Sequence, residues 1–224
     1  MIYNLNEPDD NWPDMTDNKT DNISGKGPKI VPGYLSSSDQ ESLLAAVRSV
    51  VEAAPLFTPV MPKTGKPFSV RMSNCGPLGW VSDRDGYRYQ ESHPVTGAPW
   101  PPIPDLLLQA WTGLSGTPHP PQACLINFYN AGAKMGLHQD RDEEDFAAPV
   151  VSLSLGDTAL FRIGGTKRGD PTRSFRLASG DALVLGGAAR LAFHGVDRII
   201  AGTSGLLKDG GRINLTLRRV TKPD

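Results

Sequence analysis

The second half of the chain is a series of short apolar segments separated by turn residues. Glycine doublets at 164–165 and 186–187 mark two of the breaks, where a positive φ would strain other residues. Short strands at this spacing are typical of two packed antiparallel sheets, so the sequence predicts a jelly roll. The eight predicted strands are 124–129, 150–155, 159–163, 174–177, 182–185, 191–193, 199–201 and 212–219.

Two amphipathic helices are predicted before these strands, where they would flank the sheets. The first begins at a capping-box pattern at 38–41 and ends near Pro55, and the second begins at Asp105. Each has one apolar face at helical spacing. The faces consist of Leu43, Leu44, Val47, Val50 and Val51 in the first helix, and Leu107, Leu108, Trp111 and Leu114 in the second.

The composition is ordinary for one soluble domain, with 38% hydrophobic and 21% charged residues among 224. No apolar run reaches the roughly 20 residues of a membrane helix, and the first residues do not resemble a signal peptide. We therefore expect a cytoplasmic protein with no membrane partner. Cys75 and Cys124 lack a Cys-x-x-Cys spacing and are expected to be free thiols.

The first 30 residues differ from the rest in charge. They contain six acidic residues and three lysines, whereas the whole chain has a net charge of −1. Their polar, aperiodic sequence predicts a mobile tail at 1–30, followed by a single domain at 31–224. The overall charge neither requires nor excludes a nucleic-acid partner, because binding depends on local patches.

The pattern His138-x-Asp140 is a candidate for half of a metal site. Residues two apart in an extended strand share a face, so the imidazole and the carboxylate can address one ion. With the distant His194 they would form two nitrogens and one carboxylate, a set that suits non-heme Fe(II) oxygenases. The pattern is weak alone, because any three-residue window can match it by chance.

The C-terminal strand at 212–218 alternates strictly between polar and apolar residues. A sheet with one solvated face would explain this alternation. Two guanidinium groups on one face would instead suit a dicarboxylate, since each offers a planar fork. The polar face consists of Arg212, Asn214, Thr216 and Arg218.

Together these motifs resemble the AlkB-type Fe(II)/2-oxoglutarate dioxygenases, and in particular their bacterial branch. The motifs that carry the resemblance are Asn127-x-Tyr129, His138-x-Asp140, His194 in Phe-His-Gly, and the polar face of 212–218. Residues 72–80 and 86–89 are similar to the nucleotide-recognition lid of that family, which we expect at 59–90. The family fold is a double-stranded β-helix, a jelly roll, here expected at 123–219 after the helical and lid region.

The resemblance implies two cofactor sites. Fe(II) would be held by His138, Asp140 and His194. The co-substrate 2-oxoglutarate would be held at its far carboxylate by Arg212 and at its near end by Arg218. Further contacts to it are implied for Asn127, Tyr129 and Asn214.

The implied substrate is alkylated DNA or RNA, demethylated with dioxygen by a monomer. A flipped base, such as N1-methyladenine or N3-methylcytosine, would stack between Trp80 and His138 and contact Asp142 through its exocyclic amine. Contacts to the substrate backbone are implied for Tyr87 and Arg168. Oxidation of the N-methyl group would yield formaldehyde, succinate and carbon dioxide.

Other interpretations remain open at this point. The same fold could serve a hydroxylase or demethylase of tRNA, protein or a small molecule, or a non-catalytic cupin-like binding module. Trp80 and Tyr87 could be core aromatics, and Arg168 could lie in an exposed turn. His93 and His119 are expected to be exposed loop histidines. One departure from the family is Leu185, which stands where its best-known bacterial members have a tryptophan near the metal.

Overall fold

The structure is a computed structural model that describes residues 27–223. The predicted tail therefore lies outside the described residues up to position 26, while Lys29 and Ile30 already belong to a strand. The two helices of the described chain are α1 (Ser37–Ala53) and α2 (Asp105–Leu114). Its strands are β1 (Lys29–Val31), β2 (Arg71–Cys75), β3 (Gly79–Asp83), β4 (Gly86–Gln90), β5 (Ala123–Tyr129), β6 (Met135–His138), β7 (Val150–Gly156), β8 (Thr158–Ile163), β9 (Arg173–Leu177), β10 (Ala182–Leu185), β11 (His194–Ile200) and β12 (Arg212–Arg218).

The strands form two antiparallel sheets and a separate hairpin. The larger sheet has the order β1-β10-β7-β12-β5-β2, the smaller has the order β6-β11-β8-β9, and β3 pairs with β4. Side chains of both sheets share one buried cluster, in which Leu125, Val150 and Leu183 meet Phe161 and Val196. The predicted jelly roll is confirmed.

Helices α1 and α2 cover the outer face of the larger sheet. Leu43 and Leu107 pack there with Leu153 and Leu215 in a second buried cluster. Helix α1 begins slightly before the predicted capping box, because Ser36 is its N-cap and Asp39 supplies the reciprocal bond. The cap thus lies two residues earlier than the pattern at 38–41 indicated.

Strand β12 is central in the larger sheet, paired with β5 on one side and β7 on the other. Its apolar residues face the helices. Its polar residues face the space between the sheets, where Arg212, Thr216 and Arg218 are buried and Asn214 is half-buried. The alternative of a solvated face is therefore excluded.

Two predicted strands differ from the observed ones. Residues 191–193 are not a strand, and β11 instead begins at His194 and includes the residues predicted as a break. A register shift between Val196 and Arg198 interrupts the two-residue period, so the sequence pattern shows only the last part of β11. The short edge strand β6 was not predicted as part of the sheet.

The expectation that His93 is an exposed loop histidine was wrong. It is 2% exposed, and its ring packs against Phe57 and Trp100. Its Nδ1 accepts hydrogen bonds from the amides of Val95 and Thr96, so its Nε2 donates to the carbonyl of Pro55 at 2.7 Å. His93 is thus a structural histidine that fixes two loops.

His119, the two cysteines and the helices each bear on one further expectation from the sequence. His119 is half-buried in its loop. Cys75 and Cys124 are buried and free, opposite each other on β2 and β5. None of the described helices has the length and apolar character to cross a membrane.

Candidate active site

Three metal-ligating side chains meet where β6 ends beside β11. His138 and His194 are direct register partners on these strands. The Nε2 atoms of both histidines lie 3.6 Å from oxygens of Asp140, one at Oδ1 and the other at Oδ2. The three ligand atoms lie within 4.8 Å of one another, a spacing that one metal ion can bridge.

Asp140 reaches this point from a loop rather than from a strand. Strand β6 ends at His138, so the predicted arrangement of both residues on one strand is wrong in detail. The loop turns the carboxylate toward the two imidazoles, and Asp140 is buried while the His138 side chain is 40% exposed. The predicted ligand set therefore converges, although by a different backbone path.

Both histidines are oriented by backbone carbonyls. His138 Nδ1 donates to Gly136 O and His194 Nδ1 donates to Ala192 O, each at 2.9 Å. The Nε2 lone pairs therefore face Asp140, as in metal sites whose histidines are held by a second hydrogen bond. Burial lowers the pKa of His194 to about 4, so this ring is neutral and able to ligate near neutral pH.

Asp140 is held in its anionic form before any metal binds. Burial alone would raise its pKa, but the positive charge of Arg218, with a smaller contribution from Arg190, holds the pKa well below its usual range. Arg218 Nη2 lies 2.9 Å from Asp140 Oδ1. A buried carboxylate with two imidazoles is a donor set that fits Fe(II).

A group of buried polar side chains, called the polar chamber below, lies next to this centre on the inner faces of β5 and β12. Arg212 pairs in register with Tyr129, and Asn214 pairs with Asn127. Arg212 is 1% exposed and donates to Leu177 O at 3.0 Å and to Ser154 Oγ at 2.7 Å. The structure thus brings the predicted 2-oxoglutarate residues of both strands to one wall.

The charges of this wall favour an anionic guest. Burial lowers the pKa of Arg212 to about 10 and raises that of Tyr129 to about 12, so near pH 7 the guanidinium is charged and the phenol is neutral. Five buried side-chain atoms of the described residues have no hydrogen-bond partner, and three of them lie on this wall: Asn127 Oδ1 and the Nε atoms of Arg212 and Arg218. Unpaired buried polar groups cost about 1–3 kcal/mol each, so a polar ligand that pairs with them fits this chamber.

Asn214 and Arg218, like Arg212, already have protein partners. The Nδ2 of Asn214 donates to Ser152 Oγ at 2.6 Å, and its Oδ1 accepts from Thr216. The Nη atoms of Arg218 bind Asp140, Glu143 and Tyr89, which places this guanidinium beside the metal centre. Its unpaired Nε remains for a ligand.

The predicted substrate residues fall into two groups. The indole Nε1 of Trp80 donates to Asp142 Oδ2 at 2.8 Å, and the Tyr87 ring stacks on Trp80 with 5.6 Å between centroids. Tyr87 thus covers one face of the tryptophan, which the sequence did not indicate. Arg168 is exposed, as expected for a turn, and its guanidinium carbon lies 5.0 Å from the centre of the Phe193 ring.

The departure at Leu185 is a buried one. Its side chain belongs to the cluster between the sheets, together with Val150 and Phe161, and Phe161 stacks on His194 at 5.7 Å. A leucine thus fills this part of the inner core.

Sequence reasoning missed three residues beside the metal centre. Tyr89, Glu143 and Arg190 form a hydrogen-bonded group that reaches Asp140. Glu143 stands among similar residues at 140–145, so the acidic run gives no signal that one of them is buried. For Arg190, the sequence offered no signal at all.

Comparison with known proteins identifies relatives over most of the chain. Residues 27–218 match the 2OG-Fe(II) oxygenase superfamily. An alpha-ketoglutarate-dependent dioxygenase AlkB homolog of Caulobacter vibrioides is 58% identical over 190 residues, which cover 85% of this chain and 86% of that protein. The alpha-ketoglutarate-dependent dioxygenase AlkB of Escherichia coli is 43% identical over 188 residues, covering 82% and 86%.

A solved structure supports the same relationship. The structure of OsALKBH1 superposes on this chain with a TM-score of 0.73 and 31% sequence identity, covering 87% of this chain and 97% of that one. Sequence and fold thus agree over the segment that contains the triad and the polar chamber.

Proposed function

Because this chain belongs to the 2OG-Fe(II) oxygenase superfamily and, within it, to the AlkB-type dioxygenases, we propose that it oxidatively demethylates N-alkylated bases of nucleic acid. Its cofactor is Fe(II) and its co-substrate is 2-oxoglutarate. The observation that carries the proposal is the hydrogen bond between Trp80 and Asp142. Asp142 follows the metal-ligating Asp140 by two residues, so the bond places an aromatic ring and a carboxylate close to the metal site. Repair of alkylated DNA is the proposed role.

His138, Asp140 and His194 are the proposed iron ligands, supported by their mutual distances and by the anchored imidazoles. Three protein ligands leave open positions on the metal for the co-substrate and dioxygen. Bound together, iron and 2-oxoglutarate would activate dioxygen: one oxygen atom would go into succinate as 2-oxoglutarate loses carbon dioxide, and the other would go to the methyl carbon, which leaves as formaldehyde.

The polar chamber is the proposed 2-oxoglutarate site. Arg212 lies deepest and would bind the far carboxylate, beside Tyr129. Arg218 lies against Asp140, which supports a role at the end nearest the metal, with Asn127. Asn214 would support the β12 side of the chamber rather than bind the co-substrate directly, because its amide is bonded to Ser152 and Thr216.

Replacing Arg212 by lysine tests the chamber. The substitution keeps the charge and removes the planar fork, so we expect the affinity for 2-oxoglutarate to fall about 10- to 100-fold while Fe(II) affinity is retained. The measurement is 2-oxoglutarate titration of the anaerobic iron complex. Arg198→Lys on the exposed side of β11 is the matched control. Equal affinities in both variants would place the far carboxylate elsewhere.

The proposed base site consists of Trp80 and Asp142, with His138 on the opposite side of the base. Aromatic stacking is worth roughly 1–3 kcal/mol per base and does not depend on sequence. N1-methyladenine and N3-methylcytosine carry positive charge, so the Asp142 carboxylate would attract them more than neutral bases. Tyr87 and Arg168 are the proposed contacts to the substrate backbone, since both are exposed, Tyr87 beside Trp80 and Arg168 over the ring of Phe193, which precedes His194.

The proposed site residues of this chain do not call for a second copy, and action as a monomer stays a prediction from the sequence. The substrate can be DNA or RNA, because the residues that contact the base do not distinguish the two sugars. The cytoplasmic location stays a prediction from the sequence.

A panel of methylated oligonucleotides tests the function. The protein is loaded anaerobically with Fe(II) and 2-oxoglutarate, exposed to air with DNA and RNA strands that carry cationic or neutral alkylated bases, and analysed by mass spectrometry. We expect loss of the methyl group with formation of formaldehyde and succinate, faster for the cationic lesions.

The Asp142→Asn variant, assayed on the same panel, tests whether Asp142 recognises the positive charge of the base. Asparagine keeps an acceptor for the Trp80 indole but removes the negative charge, so the cationic lesions should lose about 10-fold more than the neutral ones. Equal losses would remove charge recognition from Asp142. Succinate formation without demethylation of any strand would favour a same-fold enzyme with another substrate, and no succinate at all would favour a binding module.

A further inference from the structure

Glu143 is a buried carboxylate at the centre of a hydrogen-bonded group. Its side chain is 0% exposed. Its Oε1 accepts from the hydroxyl of Tyr89 and, at 2.8 Å, from Arg218 Nη1, while its Oε2 accepts from Arg190 Nη2 at 3.1 Å. Buried carboxylates are found where they have such partners, and here all of the partners come from distant parts of the chain.

Both arginines continue from Glu143 to the metal ligand Asp140. Arg218 reaches its carboxylate, with 2.9 Å between Nη2 and Oδ1. Arg190 reaches its backbone, donating from Nη1 to the Asp140 carbonyl at 2.7 Å. Both the side chain and the main chain of Asp140 are therefore held by arginines that are themselves bound to Glu143.

The charges of the group explain why a glutamate is needed. Two carboxylates and two guanidinium groups balance inside the protein. Without Glu143, Asp140 would be the one carboxylate left to neutralise Arg218, whose other partner is the Tyr89 hydroxyl, and Arg190 would keep only the carbonyls of Asp140 and Ala148. The contact of Arg218 with Asp140 Oδ1 would then strengthen at the expense of a metal. Glu143 shares the Arg218 charge and so leaves Asp140 available as a ligand.

Tyr89 connects the same glutamate to the hairpin of β3 and β4. Tyr89 on β4 is the direct register partner of Trp80 on β3. Its hydroxyl bonds to Glu143 and accepts from Arg218 Nη1 at 3.2 Å, so it joins the hairpin to the buried group. The strand that supports Trp80 is thereby attached to the loop that supplies Asp140.

We propose that Glu143 is a positioning residue that fixes the positions of both Asp140 and the β3–β4 hairpin. It acts on Asp140 through Arg218 and Arg190, and on the hairpin through Tyr89. The inference rests on the proposed function, because it assumes that Asp140 ligates iron and that Trp80 binds the base. It adds that one buried carboxylate fixes the two sites relative to each other.

The test compares Glu143→Gln with Glu144→Gln, the same change at the next, exposed position. The expected result for Glu143→Gln is a loss of about 10- to 100-fold in Fe(II) affinity, the usual effect of removing a partner behind a metal ligand. At saturating iron, the charge-transfer band of the anaerobic Fe(II)–2-oxoglutarate complex should also shift, which a loss of general stability would not produce. Glu144→Gln should match the wild type.

Tyr89→Phe tests the connection to the hairpin and removes only a hydroxyl, so it keeps the inference testable even where Glu143→Gln does not fold. Glu143 retains both arginines in this variant, and Fe(II) affinity should be preserved. The KM for a methylated oligonucleotide should rise about 10-fold, because the hairpin loses a hydrogen bond to a charged acceptor. An unchanged KM would contradict the connection.

The results separate this inference from the function on which it rests. Wild-type protein without a charge-transfer band or demethylation would contradict the proposed function. A normal wild-type enzyme whose Glu143→Gln variant binds iron with the same affinity and the same band would contradict the positioning role alone.

Discussion

Replacing His194 by alanine is expected to abolish demethylation together with iron binding. The side chain is buried, its Nδ1 is fixed by the carbonyl of Ala192, and its Nε2 faces Asp140 at 3.6 Å. Loss of a partner behind a ligand already costs about 10- to 100-fold in metal affinity, so loss of a ligand itself should cost at least about 100-fold. Two remaining ligands, one of them on the half-buried His138, would not retain the metal at working concentrations.

The measurement for His194→Ala is anaerobic Fe(II) titration, followed by the demethylation assay at the highest iron concentration used. His119→Ala is a matched control, because it removes a half-buried loop histidine outside the triad. Thermal unfolding of both variants shows whether the fold is retained. A folded His194→Ala enzyme that binds iron and turns over normally would disprove the ligand assignment.

Replacing Trp80 by alanine is expected to impair substrate binding selectively. Loss of a stacking face worth roughly 1–3 kcal/mol corresponds to about a 5- to 150-fold increase in the KM for a methylated oligonucleotide. Affinities for Fe(II) and 2-oxoglutarate should be retained, because the indole bonds to Asp142 and stacks on Tyr87, neither of which is a proposed ligand of iron or of 2-oxoglutarate. The two binding steps are measured on the same preparation.

Trp80→Phe is the matched variant for this prediction. Phenylalanine keeps an aromatic face but has no N–H to donate to Asp142, so its KM should lie between those of the wild type and the alanine variant. If Trp80→Ala weakens iron, co-substrate and oligonucleotide binding equally, the tryptophan is a core residue. Its place in the buried cluster between the sheets makes that outcome a real alternative.

The sequence predicted the features that depend on local periodicity. The strict alternation of β12 and the apolar stripes of α1 and α2 gave the strand and the helices, because each pattern repeats over several residues. The direction of the β12 polar face was not decided by the strand itself. That face is enclosed because a second sheet lies opposite, which is a property of the whole fold.

The features that were missed depend on irregular backbone or on distant partners. Because the register shifts within β11, the sequence pattern did not indicate the strand that carries His194. The strand β6 ends at His138, so the pattern also did not indicate that Asp140 approaches the metal site from a loop. His93 is buried by aromatic rings from positions 57 and 100. Glu143 could not be distinguished from Glu144 because the neighbours that bury it lie about 50 residues or more away in sequence.

The alternation of β12 also determines which genetic changes the strand can tolerate. Because successive side chains point to opposite faces, a one-residue insertion or deletion within 212–218 would exchange the faces of all residues beyond it. Leucines would then enter the polar chamber, while guanidinium groups would be pushed into the helix-covered core. A substitution can alter one contact at a time, but an insertion or deletion of one residue within the strand disrupts folding and co-substrate binding together. The length of β12 is therefore under stricter constraint than any one of its residues.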